Sequence, residues 1–358
     1  MHSKHTADPD VVTLIDQIFA DWQRRRSVAT DGDLDMELWR RLEELGLAEL
    51  TSTPEGGTWA ESAVLLRTAA QYAAPIPYAE HDLVARWLSQ RTGLPCTGIA
   101  TAASMRSSPR PGNHLEVSGR VPWASVADTL VVVWEDTHGW RACSVSPENS
   151  QVRIEPHRDL SGRSYDHVSF DPSVIASTAI DPTTVEVMRL RTILARTAQM
   201  SGAMSESVRV ATRYSAERNQ FGKSIGSQQA VQRLVVDAAA ECALATLSLD
   251  AAVATAVDAG DDIAALQLPV AVAASLMWHA SSVVIRNVHQ VLGALGTTRE
   301  HTLHRLTRPV LAWRAEEGTA ESGDARIARL LLSGKGSVWS KIVPLSEAPD
   351  SVSAVPTR

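Results

Sequence analysis

Arg218-Asn219-Gln220-Phe221-Gly222-Lys223-Ser224-Ile225-Gly226-Ser227-Gln228-Gln229-Ala230-Val231-Gln232 separates two strongly helical segments. A cation, an amide and an aromatic ring fall within four residues, and a glycine-containing turn leads into another amide pair. That mixture suits a ligand with a phosphate end and a flat aromatic end. Arginine forks onto phosphate oxygens, glycine admits close backbone approach, and phenylalanine lies against a ring. On its residues alone the stretch is a turn between helices, and such a ligand is the second reading they allow.

Upstream of the turn, Asp181-Pro182 places a capping carboxylate before a proline suited to the first helical position. Val187, Leu190, Leu194, Ala198 and Met204 then trace a helix toward Arg218. Downstream, Val231, Leu234, Val235, Ala238, Cys242, Ala245, Leu249 and Val253 share one helical face. A third helix is predicted from near Asp262 to about Leu292, kinked early by Pro269. A fourth covers Leu303 to Trp313, and a shorter one Asp324 to Leu332. Long helices with small inward residues favour an antiparallel bundle.

The rest of the chain has other periods. Val11 to Leu94 is helical, with Leu14, Ile15, Ile18 and Phe19, then Leu38, Leu42 and Leu45, at helical spacing, and Gly46 as a stop. Further helices are predicted for Ala60 to Tyr72 and Glu80 to Gln90, around a loop at Pro54 to Gly57 and breaks at Pro75 and Pro77. Between Thr97 and Ile180 the chain turns to short strands at Leu130 to Trp134, Trp140 to Val145, Val152 to Pro156 and Ser164 to Phe170, which suggests a small β-barrel or sandwich.

The expected fold class is therefore α+β, mainly α. It comprises an N-terminal helical domain over 1–95, a β domain over 96–180, a four-helix bundle over 181–335, and a tail over 336–358 with little pattern. The chain has 358 residues, is 44% hydrophobic, and carries 34 basic against 41 acidic residues for a formal charge of −7. Such a balance offers no basic field to nucleic acid or anionic lipid. Cys96, Cys143 and Cys242 are odd in number and far apart, which favours reduced core thiols over a disulfide framework or metal knuckle. The N-terminus lacks a leader pattern, and Gln267, Pro269, Ser275 and His279 make Ala264 to Ala280 too polar for a membrane span, so a cytoplasmic protein is expected. Each of His279, His289, His301 and His304 is read as surface or core-satisfied, with no metal site.

Tyr214-x3-Arg218-x-Gln220-Phe221-Gly222-Lys223-x-Ile225-Gly226-x2-Gln229-Ala230-x-Gln232 resembles the signature of the acyl-CoA dehydrogenases, flavoenzymes that desaturate acyl-CoA thioesters. Trp39-Arg40-x-Leu42-Glu43-x2-Gly46-Leu47 is similar to their N-terminal helical domain. Gln290-Val291-Leu292-Gly293-Ala294-Leu295-Gly296 resembles their Gln-x-x-Gly-Gly-x-Gly loop. Glu317-Gly318-Thr319 follows 27 residues after Gln290, the separation expected where the catalytic glutamate precedes Gly-Thr, and Arg308 falls on a usual arginine. Gly119-Arg120-Val121-Pro122-Trp123-Ala124-Ser125 resembles a flavin-contacting Gly-x-x-x-Trp-x-(Thr/Ser).

The resemblance implies FAD, with Arg218 on its pyrophosphate, Gln220 assisting, Phe221 near the adenine and Gln229 at a helix start. It implies Gln290 and Gly293 on a neighbouring subunit's FAD, Trp123 against the isoalloxazine, Ser125 at the flavin edge, and Thr319 nearby. It further implies Glu317 as the base for the Cα proton, the backbone at Glu317 and Gly318 against the thioester, and electron-transfer flavoprotein as electron acceptor. The implied assembly is a homo- or hetero-oligomer, a dimer of dimers, with a tetramer as its size. Glu316, adjacent on the helix, is expected to face solvent.

Several departures accompany the matches. Thr101 to Gly112 lacks the family's Gly-Ala-Gly-Ser-Asp loop, Ser322-Gly323-Asp324 replaces an Ile-Gln-Arg, and Pro309 replaces an acid. The substrate-side arginine falls at Ile193, with Arg191 the nearest substitute. Ala73-Ala74-Pro75-Ile76-Pro77 resembles the branch that works as half of a two-gene heteromer in actinobacterial steroid or branched-acid breakdown, a part of lipid metabolism. Two alternatives follow from these departures: a catalytically weak partner subunit, and a flavin oxidase or monooxygenase-like relative. A Cα base argues against the monooxygenase.

Overall fold

Helices, strands and helices again succeed one another in the computed structural model, which describes residues 5–25, 32–53, 55–110, 114–220, 222–316 and 320–333. The N-terminal helices are α1 (Pro9–Arg25), α2 (Met36–Glu44), α3 (Trp59–Gln71) and a π-helical segment, Ala79–Arg86, that runs into α4 (Trp87–Thr92). Local chemistry sets their ends. Asp35 caps α2 by accepting from the Leu38 amide, and Thr58 and Glu61 form a capping box on α3. Gly46 follows α2 with φ of 71°, a left-handed position that favours glycine. Asp82 on the π-helical segment is fully buried, and it accepts from the Thr51 and Ser52 amides and the Tyr78 hydroxyl at 2.9 to 3.1 Å.

Two four-stranded sheets follow. In the first, β1 (Ala100–Ser104) pairs in parallel with β4 (Thr129–Asp136), which pairs antiparallel with β5 (Gly139–Val145), and that with β8 (Thr178–Ala179). The second is antiparallel throughout, in the order β2 (Arg106–Arg110), β3 (His114–Pro122), β7 (Tyr165–Phe170), β6 (Val152–Glu155). Residues Leu130 to Trp134 of β4 are buried on both faces. The segment 101–110, where the family loop is missing, forms β1 and β2 instead. Met105 joins them by donating its amide to the Val133 carbonyl at 2.8 Å. Its short, polar-rich strands carry too little hydrophobic alternation for a strand to be read from sequence.

The bundle consists of α5 (Pro182–Glu217), α6 (Gln229–Ala259), α7 (Ile263–Leu292) and α9 (Leu303–Glu316), with short α8 (Ala294–Thr297) and α10 (Ala320–Leu332). Hairpin strands β9 (Asn219–Gln220) and β10 (Lys223–Ser224) join α5 to α6. Contrary to the reading of Ala264 to Ala280, α6 and α7 are each long and apolar enough to cross a membrane by length and composition. Packing accounts for that apolarity in α7, whose Val270, Ala274, Met277, Trp278, Val284 and Val288 face the protein interior. In contrast, α6 buries one face and leaves Val236, Leu244 and Leu247 exposed, the last at 68%. Cys143 and Cys242 are buried and Cys96 half-buried, all as thiols; burial pushes Cys143 up to about 12.

Arg191 does not serve as the substrate-side arginine. It is buried between the rings of Trp59 and Trp87, at 5.2 and 5.0 Å from their centroids, and donates to the Leu83 carbonyl and Asp261. Its charge ties α3, α4, α5 and the α6–α7 turn together. Arg191→Ala is expected to destabilise the protein by about 2–4 kcal/mol, by removing a desolvated cation and leaving its acceptors unpaired. Denaturant midpoints at neutral pH measure this, and a loss below 1 kcal/mol would make the sandwich incidental.

Candidate active site

The N-terminal helices, the β-sheets and the bundle meet around a cavity of about 470 Å³. The π-helical segment supplies Ala79, Glu80 and Val84, β1 supplies Ala102 to Ser104, and β3 supplies Arg120 and Pro122. Helix α5 lines it from Pro182 to Arg196, and Glu316, the last residue of α9, completes the wall. Here the structure corrects the expectation that Glu316 faces solvent. Its carboxylate is taken up by two arginines. Arg196 donates Nε to Oε2 at 2.7 Å, and Arg163 donates Nη2 to Oε1. The side chain is only 11% exposed.

The same two arginines reach a second carboxylate. Arg196 Nη2 and Arg163 Nη1 both donate to Glu80 Oε1, at 2.7 and 3.2 Å. Arg163 Nε goes to Asp159 at 3.0 Å and Arg196 Nη1 to Gln199 at 2.9 Å, so every guanidinium nitrogen has a partner. Each of Glu80, Arg163 and Arg196 is at least nine-tenths buried. Burial works to raise the Glu316 carboxyl, but the charges and hydrogen bonds of Arg196 and Arg163 outweigh it and hold the group below the ordinary carboxylate range. Burial likewise pulls Arg196 down, and Glu316 and Glu80 more than restore it, leaving the guanidinium raised.

Arg163 also lines a second, smaller cavity, of about 80 Å³, on the other side of the cluster. Ala73 to Ile76, Trp123, Arg308, Pro309 and Trp313 are among its walls. The Ala-Ala-Pro-Ile motif and the arginine read from sequence are thus neighbours in space. Trp123 does not lie on a strand; it follows β3 in a turn, with φ of 61°, and its buried Nε1 has no hydrogen-bond partner. An acceptor-bearing planar group beside Trp123 would satisfy that donor. Ser125 lies apart from this cavity. Its amide donates to Asp166 at 2.8 Å and its hydroxyl pairs with Ser164 at 3.2 Å, at a shallow surface cleft.

The remaining cofactor residues gather elsewhere. Arg218 ends α5, Gln220 lies in β9, Gln229 begins α6, and Gln290 and Gly293 sit at the end of α7, where the Asn287 amide donates to the Leu234 carbonyl of α6. All five are exposed, and among the described residues no acid pairs with Arg218. An unpaired cation with three amides fits a pyrophosphate and a nucleotide edge, and the orphaned Trp123 donor fits a flavin ring, so the residues present suit FAD. Phe221, Glu317, Gly318 and Thr319 lie outside the described residues. Asp324, from the departed Ser-Gly-Asp, accepts from Ser275 and pairs with His279 at 3.0 Å, fastening α10 to α7. His289 pairs with Thr307 at 3.0 Å.

Sequence reasoning missed Glu80, Arg163, Arg196 and Glu316 as a group. The available signal was Arg196 and Gln199 on the apolar face of α5, where a charge needs a buried partner.

Residues 185–332 match the family model of the acyl-CoA dehydrogenase C-terminal domain. The acyl-CoA dehydrogenase FadE27 of Mycobacterium tuberculosis is 24% identical over 331 residues, 82% of this chain and 88% of that protein. Among solved structures, the ChsE4–ChsE5 complex of Mycobacterium tuberculosis is similar with a TM-score of 0.78 at 21% identity, over 93% of this chain and 100% of that one. The Tcur3481–Tcur3483 steroid ACAD G363A variant is similar with a TM-score of 0.76 at 22% identity, over 90% and 96%. The fold is that of the acyl-CoA dehydrogenases, and residues 185–332 carry the pattern of their C-terminal domain.

Glu316→Gln is expected to cost about 2–4 kcal/mol of stability near pH 7, because two buried guanidiniums lose a charge. The folded carboxyl lies below its unfolded value of about 4.3, so its contribution is present above that pH and disappears as pH falls through the folded pKa. The gap between wild type and variant should therefore narrow below about pH 4, as equilibrium unfolding at several pH values will show. A gap independent of pH would contradict the assignment.

Proposed function

We propose that the chain desaturates an acyl-CoA thioester between Cα and Cβ, with the acyl group in the cavity beside Glu316. One observation carries this reading: the cavity is closed by the last described turn of α9, one residue before Glu317-Gly318-Thr319. FAD, when bound, supplies the acceptor for the hydride leaving Cβ, which no side chain can supply. Glu317 takes the Cα proton onto its carboxylate. The backbone N–H groups at Glu317 and Gly318 donate to the thioester carbonyl and favour the enolate that forms there. Trp123 and Arg308 offer the planar surface and charge beside the ring, with Thr319 at its edge; Ser125, apart from that cavity, takes no part there. Arg218, Gln220, Phe221 and Gln229 hold the adenine dinucleotide end, and Gln290 and Gly293 the adenosine half of a neighbouring subunit's FAD. Electrons then pass to an electron-transfer flavoprotein.

Glu317→Gln should retain flavin colour and fold, and lose acyl-CoA-dependent bleaching by at least about 10³-fold, since a general base contributes on that order. Anaerobic stopped-flow absorbance measures it. Unchanged bleaching would place the base elsewhere.

A second reading, a partner subunit that completes another chain's flavin site, is favoured by the exposed cofactor end and by α6. Val236, Ala240, Ala243, Leu244, Leu247 and Ala251 form one exposed apolar face, the kind of surface that another subunit would cover. Leu247→Asp is expected to shift the purified assembly to a smaller species and to lower its flavin content, in light scattering and visible absorbance. An unaltered mass would remove α6 from the interface. Yellow, active protein from the chain alone supports the enzyme; colour only on co-expression with a homologous subunit supports the partner.

A further inference from the structure

Charge is spread unevenly around the larger cavity. At its α9 end, Glu80, Asp159 and Glu316 share the guanidiniums of Arg163 and Arg196, so that wall is short of positive charge. Arg189, which lines the same cavity from α5 with its side chain 35% exposed, is in the opposite condition. Its Nε donates to Glu186 Oε2 at 3.2 Å, and among the described residues Glu186 is its one partner. Even that carboxylate is shared, because Arg326 donates Nη2 to the other oxygen. The four N–H groups on Nη1 and Nη2 of Arg189 therefore have no acceptor among the described residues, and Nη2 is also closed off from bulk water. A shielded donor left unmatched is unfavourable. Across the cavity, Arg120 of β3 donates Nη1 to the Tyr165 carbonyl at 3.2 Å and pairs with no described acid.

We propose that Arg189 binds an anionic oxygen group of the thioester ligand, either a carboxylate at the far end of the acyl group or a phosphate of its CoA. This rests on the acyl group occupying the cavity, as proposed above. Two turns of α5 separate Arg189 from Arg196, about 10 Å along the helix axis. Both line the cavity, with Thr192 and Ala195 between them on that face and Val84, Ala102 and Ala103 lining it from other elements. An apolar chain with its reacting end beside α9 would carry a terminal carboxylate across that distance to Arg189. The carboxylate surplus of the buried cluster disfavours an anion at the α9 end and leaves Arg189, with Arg120, as the place for it. An ionised acceptor gains more from a forked guanidinium than a neutral oxo group or hydroxyl does.

The test uses the FAD-loaded protein as it purifies and 2-enoyl-CoA ligands, which bind without being dehydrogenated. Calorimetry compares enoyl groups ending in a carboxylate with those ending in a methyl, chain length by chain length. It also compares each enoyl-CoA with its enoyl-pantetheine counterpart, which lacks the phosphates. At one chain length or more the carboxylate should bind tighter by about fivefold or more, the margin of a charged hydrogen bond discounted for partial exposure. Arg189→Met should remove that preference, and Arg189→Lys, which keeps the charge, should retain part of it. If the phosphates are the source, the methyl-ended enoyl-CoA should instead lose about fivefold in Arg189→Met while its pantetheine counterpart is unaffected. A carboxylate preference unchanged in Arg189→Met overturns the proposal, as does the absence of any preference in wild type together with no effect of the variant on either ligand. Arg189→Gln repeats the comparison should Arg189→Met not fold. Binding of no enoyl-CoA at all would overturn the proposed function, whereas binding without these differences overturns the role of Arg189 alone.

Discussion

Two arginines shared between two carboxylates hold the three parts of this chain in register. Glu80 comes from the N-terminal helices, Arg163 from the β-sheets, and Arg196 and Glu316 from the bundle. None could be buried by itself, because an isolated charge in a dry interior is far more costly than a packed apolar residue. The cluster therefore forms only when all three parts are docked. Its position is as informative as its energy, since it ends α9 at the wall of the larger cavity and separates that space from the smaller one beside Trp123.

Much of the architecture was legible in the sequence, for identifiable reasons. Asp181-Pro182, the apolar faces of α5 to α7 and the β-branched run at Leu130 to Val133 are local signals, and each yields the element it announces. Strands β1 and β2 were not legible, because Ala100 to Ser104 and Arg106 to Arg110 have no apolar alternation and owe their pairing to β4 and β3. The charge network escaped for a related reason. Its members are scattered from position 80 to 316, and nothing local distinguishes Glu316 from a solvated helix-end carboxylate. Arg191 shows the opposite error: proximity in sequence to Ile193 suggested the substrate, whereas two tryptophans hold it on the structural side of α5.

The residues suited to a dinucleotide divide into a buried part and an open part. Trp123 and Arg308 stand around the smaller cavity, while Arg218, Gln220, Gln229 and Gln290 are exposed at one end of the bundle. A ligand spanning both would be solvated along much of its length on a lone chain. The apolar face of α6 leaves room for a second subunit to change that. Both features bear on the same physical point, that desolvation strengthens the polar contacts a cofactor makes.

The most direct test of this account is a crystal structure of the FAD-loaded protein with a bound 2-enoyl-CoA. The account predicts acyl density in the cavity walled by Glu80, Arg196 and Glu316, with the double bond between the flavin ring and the residue that follows Glu316. An acyl group bound elsewhere, with that cavity holding only water, would contradict it.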